Sequence, residues 1–396
     1  MITTPTPIKD ALKSRRIRRL LPTDASAAEL AQLAPEILEQ SLFSARTHCA
    51  GYLSDMDYFL TDLIKGKTDP ATVRLRLKQR LKYHGYDPEA HGITPGSLKD
   101  LSSDSRTNLI IEMQEKFAHG YAQHEADQDP ALLDMWPCYE LVRHESRKKE
   151  RIDWPQRFVV AGGQLYGERM IARKDSPVWS ALSVFGYPYP PFDYMSGMGL
   201  DDIERAEAEA LGIIDKRTVI TPKRRPFNES VETSLPKFSN PDLQGEILKA
   251  FGKDIVCAGE KAWLLPAGNI AAREAAITAQ TAAGTGLMQQ VIDTQADIYN
   301  ALYVPEIGPV DFRWGNAKRT GVAKIISRRD EQAALRMPKV IIKGEKHIEK
   351  DGRLICIYDG HKAILDKTWN RKPVNRWLLN GYEIDPPKAG RKKESR

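Results

Sequence analysis

Basic side chains cluster in the C-terminal quarter of the chain, in the segment "RWGNAKRTGVAKIISRRDEQAAL". Lys324 and Arg328 stand four residues apart, so they share one face if this segment is helical. Two cations on one face can hold a phosphate group, and Arg319 and Arg329 would extend the same positive surface. A solvated helix surface carries the same residue types, so the pattern by itself leaves both interpretations open.

His347, in "KGEKHIEKDG", is the best-placed titratable residue of the same region, because imidazole changes charge near neutral pH. Phosphodiester cleavage needs a base, an acid and a cation that stabilises the charge developing on the phosphate. A lysine is a poor base at neutral pH, since its ordinary pKa is about 10.4. His347, Lys324 and Arg328 are therefore the candidate catalytic residues, and an ordinary surface histidine is the competing interpretation of His347.

The charge of the chain is unevenly distributed along its 396 residues. From residue 301 onward there are 22 Lys and Arg against 12 Asp and Glu, a balance of +10, whereas the first 300 residues have 37 against 41, a balance of −4. A basic region on a slightly acidic body predicts a nucleic-acid partner, because neutralising phosphates releases counterions. The predicted binding residues are Arg319, Lys324, Arg328 and Arg329, together with Arg391, Lys392 and Lys393 of the basic tail.

Other classes of site find little support in the sequence. The four cysteines are far apart, without the close pairs that zinc sites use, so structural thiols in a reducing cytoplasm are expected. No segment approaches the roughly 18 apolar residues of a membrane span. The start of the chain also lacks the apolar stretch of a signal peptide. We therefore expect no metal, no cofactor and no membrane contact.

The sequence patterns that surround these residues predict an α+β multidomain protein. A helical N-terminal part is followed by a turn-rich central module dense in Pro, Gly and aromatics, and then by a C-terminal helix packed on a four-stranded antiparallel sheet. The predicted segments are a basic arm (1–25), a helical domain (26–135), the central module (136–215), a linker with two Ala-rich helices separated by "GTG" (216–303), a C-terminal domain (304–385) and a basic disordered tail (386–396).

The C-terminal domain is predicted from apolar patterning and turn residues. A helix over 320–335 precedes four strands, "KVIIKG", "RLICIY", "HKAILD" and "NRWLLNGYE". Asp359 and Gly360 between two of them are a strong hairpin signal. Val322, Ile325 and Ile326 are the helix residues expected to face the sheet.

Residues of about 136–214 resemble the minor head, or head morphogenesis, proteins of Mu-type tailed phages. The resemblance rests on Asp153-Trp154, Gly162-Gly163, Arg169-Met170-Ile171-Ala172, Pro177 with Trp179, "YPYPPFDYMSGM" and the acidic helix after it. Ser196, Gly197 and Met198 stand where the family has a pair of cysteines. The resemblance implies a virion protein that is bound to the portal and major capsid proteins and is needed for head assembly.

Residues of about 304–383 resemble the phage-borne domains related to barnase, EndoU, colicin E5/D and RelE. The matching stretches are "GPVDFRWGN", "TGVAKIISRRD", "RLICIYDGHKAIL" and "NRWLLNGYE". This resemblance implies a helix packed on a four-stranded sheet. The domains that it resembles cleave RNA without a metal. Lys324 stands where the family helix often has His, and Asn380 where the last strand often has Thr, so enzymatic activity is left open.

Two functions follow from these expectations. The first is a phage minor head protein, in the head interior or at the portal vertex and in the host cytoplasm during assembly, with a nuclease-like domain that binds nucleic acid. The second is a metal-independent ribonuclease effector carried in the virion. Both functions involve nucleic acid at the C-terminal domain, and they differ in whether His347, Lys324 and Arg328 perform catalysis.

Overall fold

The structure is a computed structural model that confirms the predicted α+β class. Its described residues are 11–12, 18–147, 149–224, 230–369 and 371–384. The predicted binding residues Arg391, Lys392 and Lys393 lie outside these ranges, as does much of the predicted basic arm. The chain divides into two compact units, which consist of residues 1–227 with 238–250 and of residues 228–237 with 251–396.

The first unit is mainly helical, as predicted for its N-terminal part. Its helices are α1 (Ala27–Leu30), α2 (Pro35–Glu39), α3 (Ala50–Ile64), α4 (Pro70–Tyr83), α5 (Asp104–Asp127), α6 (Pro130–Met135), α7 (Trp154–Val160), α8 (Val178–Leu182), α9 (Arg205–Ala210) and α10 (Pro241–Phe251). Helix α4 begins at Pro70, because the side chain of Asp69 accepts the backbone N–H of Thr72 at 2.9 Å and caps the first turn. A short parallel pair, β1 (Arg19–Leu20) with β2 (Ser41–Leu42), also belongs to this unit.

The turn-rich module holds a four-stranded antiparallel sheet in the order β4-β5-β3-β6. Its strands are β3 (Cys138–Arg143), β4 (Leu165–Tyr166), β5 (Arg169–Arg173) and β6 (Met198–Ile203). Trp154 and Trp179 are buried in its core, and Arg169 donates to both carboxylate oxygens of Glu140 at 2.9 and 2.6 Å. The motif residues of the module thus include core side chains and an ion pair between strands.

The predicted acidic helix of this module is shorter than expected. Residues 199–203 belong to β6, which pairs with β3 along its whole length, and α9 begins only at Arg205. Pairing with β3 makes residues 199–203 a strand. The acidic side chains of Asp201 and Asp202 also suit the start of a helix, so these residues by themselves do not distinguish the two structures. Gly212 closes the segment with a positive φ of 70°, which is typical of a glycine just after a helix.

The second unit is built on a nine-stranded sheet in the order β12-β13-β14-β15-β11-β10-β8-β9-β7. The strands are β7 (Val231–Ser234), β8 (Ile255–Ala258), β9 (Lys261–Leu264), β10 (Ile298–Val304), β11 (Gly308–Phe312), β12 (Glu345–Ile348), β13 (Leu354–Tyr358), β14 (His361–Trp369) and β15 (Lys372–Glu383). All neighbours are antiparallel except β11 and β15, which are parallel. Three helices pack against the sheet: α11 (Ile270–Thr294), α12 (Val322–Arg328) and α13 (Glu331–Lys343).

The C-terminal strands match the prediction except at "KVIIKG". Residues 339–343 belong to α13, and the first of the four strands is β12. Met337, Val340 and Ile341 are buried at helical spacing, and a short apolar run cannot by itself distinguish a strand from a buried helix. The predicted hairpin is confirmed: Asp359 and Gly360 have φ of 49° and 72°, and β13 pairs with β14 across them.

The predicted helix over 320–335 is two helices rather than one. Helix α12 ends at Arg328, and α13 begins after Asp330, whose side chain accepts the backbone N–H of Ala333 at 2.7 Å. Asp330 is a standard N-cap residue, so the break follows from a cap inside an otherwise periodic segment. Val322 and Ile325 are buried in the main core as predicted, and Ile326 packs partly buried against it.

The two Ala-rich helices predicted around "GTG" are one continuous helix, α11. Gly284 lies in its middle, where an added Cβ would come within 2.8 Å of Leu302 on β10. The glycine therefore permits close packing of helix on sheet, and it does not interrupt the helix. The segment 216–303, predicted as linker and helices, also contributes strands β7 to β10.

Candidate nucleic-acid interface

The loop 313–321 joins β11 to the cationic helix α12. Gly315 and Gly321 have φ of 72° and 83°, which L side chains rarely adopt, and Gly321 donates its backbone N–H to the carbonyl oxygen of Leu379 at 3.0 Å. Val322 and Ala323 donate in turn to the carbonyl oxygens of Arg313 and Trp314. These bonds fix the start of α12 beside the last strand, next to Asn380.

A pocket of about 580 Å³ opens beside this loop. Its lining residues are Gln295, Asp297, Trp314, Gly315, Asn316, Arg319, Thr320, Thr368, Trp369 and Trp377. We call it the tryptophan pocket. Trp369 and Trp377 meet edge to face, with ring centroids 4.7 Å apart, and Trp377 donates its Nε1–H to the carbonyl oxygen of Thr368. The aromatic walls are therefore held in place by ring packing and by a hydrogen bond.

Buried polar residues support the tryptophan pocket. The guanidinium of Arg313 lies 4.5 Å from the ring centroid of Trp369 and 3.4 Å from the carboxylate of Asp311. Asp311 also accepts the backbone N–H of Asn300 at 2.9 Å. Because both charges of the Arg313–Asp311 pair are buried, loss of either partner would leave an uncompensated charge in the interior. This pair therefore positions Trp369, and it is not free to bind a phosphate.

The four predicted cations near the pocket are available to a ligand. Arg319 is exposed and lines the tryptophan pocket, and Arg328 and Arg329 are exposed at the C-terminal end of α12. Within the part of the chain that the structure describes, no carboxylate lies within ion-pair distance of these three arginines or of Lys324. Burial, together with the nearby charges of Arg328 and Arg353, lowers the pKa of Lys324. An anion near Lys324 would offset that repulsion.

The structure places His347 away from the tryptophan pocket. It lies exposed on β12, the edge strand of the sheet, and its Nε2 is 3.6 Å from the carboxylate of Glu345. A second histidine of this region, His361, has Nδ1 2.6 Å from the carbonyl oxygen of Asp359 and Nε2 3.0 Å from Arg336. The fold thus brings Arg319 into the pocket and puts Lys324 and Arg328 on the adjoining helix, and it brings neither histidine into the pocket.

Sequence reasoning missed several pocket residues. Trp377 is 3% exposed and also forms part of the pocket wall. Trp369 and Asp297 were not predicted as site residues at all. Trp369 and Trp377 lie in consecutive strands, but Trp377 stands opposite Asp366 and Trp369 opposite Lys372, so cross-strand pairing would not have identified the aromatic pair.

The described residues offer little for other kinds of site. No group of three or more His, Cys, Asp or Glu side chains among them is arranged to hold a metal ion. No described helix is long and apolar enough to cross a bilayer. The four cysteines are free thiols, and burial raises the pKa of Cys138 and Cys257 to about 12, which makes these two poor nucleophiles.

Comparison with known proteins identifies the C-terminal region alone. Residues 301–388 match the model of a family described as phage-Barnase-EndoU-ColicinE5/D-RelE like nuclease1. No curated protein and no solved structure matches the chain. The matched range contains Trp314, Trp369, Trp377 and the cationic helix, so the tryptophan pocket lies mostly within a phage nuclease-like domain.

Proposed function

We propose that this protein is a phage minor head component whose C-terminal nuclease-like domain binds single-stranded nucleic acid. The observation that carries the binding function is the tryptophan pocket with Arg319 in its wall and Lys324 and Arg328 on the adjoining helix. Indole rings can stack on an unpaired base, which contributes about 1–3 kcal/mol for each base. The cations neutralise backbone phosphates, so binding is expected to weaken as salt increases.

The binding function is tested by titrating the full chain with a single-stranded RNA oligonucleotide in EDTA. The full chain is needed because β10, β8 and α11 pack with the matched domain, and a fragment that begins at 301 would lack α11 and β8. We expect quenching of tryptophan fluorescence and an affinity that falls with salt. Equal binding of a duplex, without quenching, would contradict the role of the pocket.

The position in the phage head is supported by the resemblance of residues 136–214 to head morphogenesis proteins and by the phage family matched at 301–388. The proposed partners are the portal and major capsid proteins of the same virion. Mass spectrometry of purified virions should detect the chain at low copy number. Removing 136–214 should block its incorporation, whereas removing 301–396 should leave heads visible by electron microscopy. Normal incorporation without 136–214 would refute the head role.

The alternative function is a metal-independent ribonuclease, favoured by one observation at Lys324. Its pKa is lowered by burial and by two neighbouring arginines, which is the environment of a cation placed to meet a phosphate. Incubation of the full chain with RNA in EDTA distinguishes the two functions. Cleavage that is lost in His347→Ala or Lys324→Gln would support the enzyme. Salt-sensitive binding without cleavage would support the binding function.

A further inference from the structure

The first unit contains a second pocket, which lies along one face of helix α5. Its volume is about 340 Å³, and the α5 residues that line it are Arg106, Leu109, Ile110, Met113, Gln114 and Phe117. Their spacing follows the helical repeat, so they form one continuous stripe. The remaining walls come from α1 with Ala31, from α2, from residues 41–45 and from the 184–187 segment, together with Arg18 and Tyr194. We call this space the α5 pocket.

Arg106 is the unusual residue of the α5 pocket. Its Nη2 donates to the Ser44 hydroxyl at 2.8 Å and to the carbonyl oxygen of Ala45 at 3.3 Å, while its buried Nε–H has no acceptor. Burial lowers the pKa of Arg106, and the titratable groups that face it are tyrosines. Within the described residues no carboxylate lies within ion-pair distance of it.

A second arginine of the α5 pocket repeats this pattern. Arg18 donates from Nη1 to the side-chain oxygen of Gln114, and its Nε–H is also buried without an acceptor. Arginine stays protonated in proteins and carries five N–H donors, so these two side chains keep a positive charge and unused donors in an apolar setting. A positive charge without a carboxylate partner in an apolar pocket favours an anionic ligand.

We propose that the α5 pocket binds a medium-chain alkyl carboxylate, with its carboxylate on Arg106 and its hydrocarbon chain along the α5 stripe. The guanidinium offers the fork of donors that matches a carboxylate. The apolar walls match a chain that has no polar groups to satisfy. This proposal concerns the first unit, so it is independent of the nucleic-acid function proposed for the second.

The size of the α5 pocket sets the length of the chain. Arg106 and Gln114 are eight residues apart, which is about 12 Å along a helix. An apolar cavity of about 150 Å³ accommodates the six carbons of benzene, so by the same ratio 340 Å³ would hold roughly thirteen carbons, which leaves room for a ten-carbon acid with its carboxylate. Decanoate is therefore the appropriate probe.

The polar groups of the α5 pocket argue against a peptide as the occupant. A buried peptide would need a partner for each of its backbone N–H and C=O groups. The Ser41 hydroxyl already donates to the carbonyl oxygen of Ile37, Ser44 accepts from Arg106, and Gln114 accepts from Arg18. Ser41, Ser44 and Gln114 are therefore each engaged in a hydrogen bond within the protein, which leaves fewer partners for a peptide backbone.

The test is calorimetric titration of the full chain with decanoate. We expect one binding site, and Arg106→Gln should weaken binding about tenfold to a hundredfold, because a hydrogen bond to a charged group contributes that much. Arg217→Gln removes an exposed arginine outside the pocket, with the same change of charge, and should leave binding unchanged. Circular dichroism and thermal melting show whether each variant is folded.

A second variant keeps the test decisive if Arg106→Gln does not fold. Ala31 is exposed and lines the pocket, so Ala31→Trp should occlude the pocket and abolish decanoate binding without a change in the core. Equal affinity for 1-decanol would overturn the role of the charge. Absence of decanoate binding, or unchanged binding in Ala31→Trp, would overturn the proposal, as would binding of a peptide with an apolar C-terminus in place of decanoate.

Discussion

The backbone N–H of Gly321 lies 3.0 Å from the carbonyl oxygen of Leu379, and this hydrogen bond fixes the start of the cationic helix α12 against the last strand. The contact requires a residue without a side chain. A Cβ on Gly321 would come within 2.7 Å of the carbonyl oxygens of both Arg313 and Trp314. One glycine therefore sets the position of Lys324 relative to the tryptophan pocket.

We predict that Gly321→Ala lowers the free energy of unfolding by about 2 kcal/mol or more. The φ of 83° is unfavourable for alanine, and the clash is with backbone atoms, which cannot rotate away. Urea denaturation measures the change. Gly360→Ala, at a φ of 72° in open space, is the control and should cost less. Equal losses in the two variants would mean that close packing at Gly321 contributes nothing.

Replacing Lys324 and Arg328 with Gln should weaken nucleic-acid binding and flatten its dependence on salt. Each lost phosphate contact reduces the slope of log affinity against log salt concentration by about 0.7–0.9, and up to two contacts are lost. The matched control is Lys339→Gln with Lys343→Gln, an exposed pair at the same spacing on α13. If the first variant keeps its affinity and its salt slope, α12 is only a solvated helix, and the basic tail becomes the candidate surface.

Ile325→Asp should unfold the second unit, because Ile325 is fully buried and a charge there has no partner. We expect the cooperative thermal unfolding transition of that unit to be lost. Surface substitutions such as Lys324→Gln should change stability by less than about 0.5 kcal/mol. A folded Ile325→Asp variant would show that α12 does not contribute to the core.

Trp369→Ala should reduce affinity for single-stranded nucleic acid by about 1–3 kcal/mol, since it removes a stacking surface from the tryptophan pocket. It should also decrease the fluorescence quenching on binding. Tyr58→Ala removes an aromatic ring that is 62% exposed in the first unit and serves as the control. Unchanged binding by the Trp369 variant would remove the pocket from the interface.

The two glycines of "GTG" should respond in opposite ways to alanine. Gly286→Ala should stabilise the protein by about 0.5–1 kcal/mol, because the site is helical and nothing lies within 4 Å of the added Cβ. Gly284→Ala should destabilise it by about 1–3 kcal/mol by overpacking against buried Leu302. Thermal melting compares them. Stabilisation by both substitutions would show that the helix moves freely against β10.

Limited trypsin digestion should cut the segment 221–241 before it cuts the module 136–214. The segment is rich in Pro and polar residues, and Arg224 is exposed without regular structure. Lys223 is held by its backbone N–H to Gln128 and by its Nζ to the carbonyl oxygen of Asp175, so the first cut is expected after Arg224 or Arg225, the latter outside the described residues. Earlier cuts within 136–214 would contradict the predicted boundary.

Local patterns in the sequence determined the features that depend on near neighbours. The hairpin at Asp359 and Gly360 and the buried face of α12 were both predicted correctly. Each of them follows from a turn or a helical repeat over a few residues. The excess of positive charge after residue 301 was also determined by the sequence, since composition does not depend on the fold.

Tertiary structure alone decided the features that depend on distant partners. The segment "KVIIKG" is helical because its apolar residues pack on the sheet. Helix α11 continues through Gly284, and the close approach of β10 is the reason that a glycine stands at this position. The tryptophan pocket exists because β11 lies parallel to β15, which brings Trp314 beside Trp377 from 63 residues away in the sequence. Arg106 is half-buried without a carboxylate partner because α5 packs beside Ser44 and Tyr194. No local pattern reports such contacts, since they depend on which surfaces meet when the chain folds.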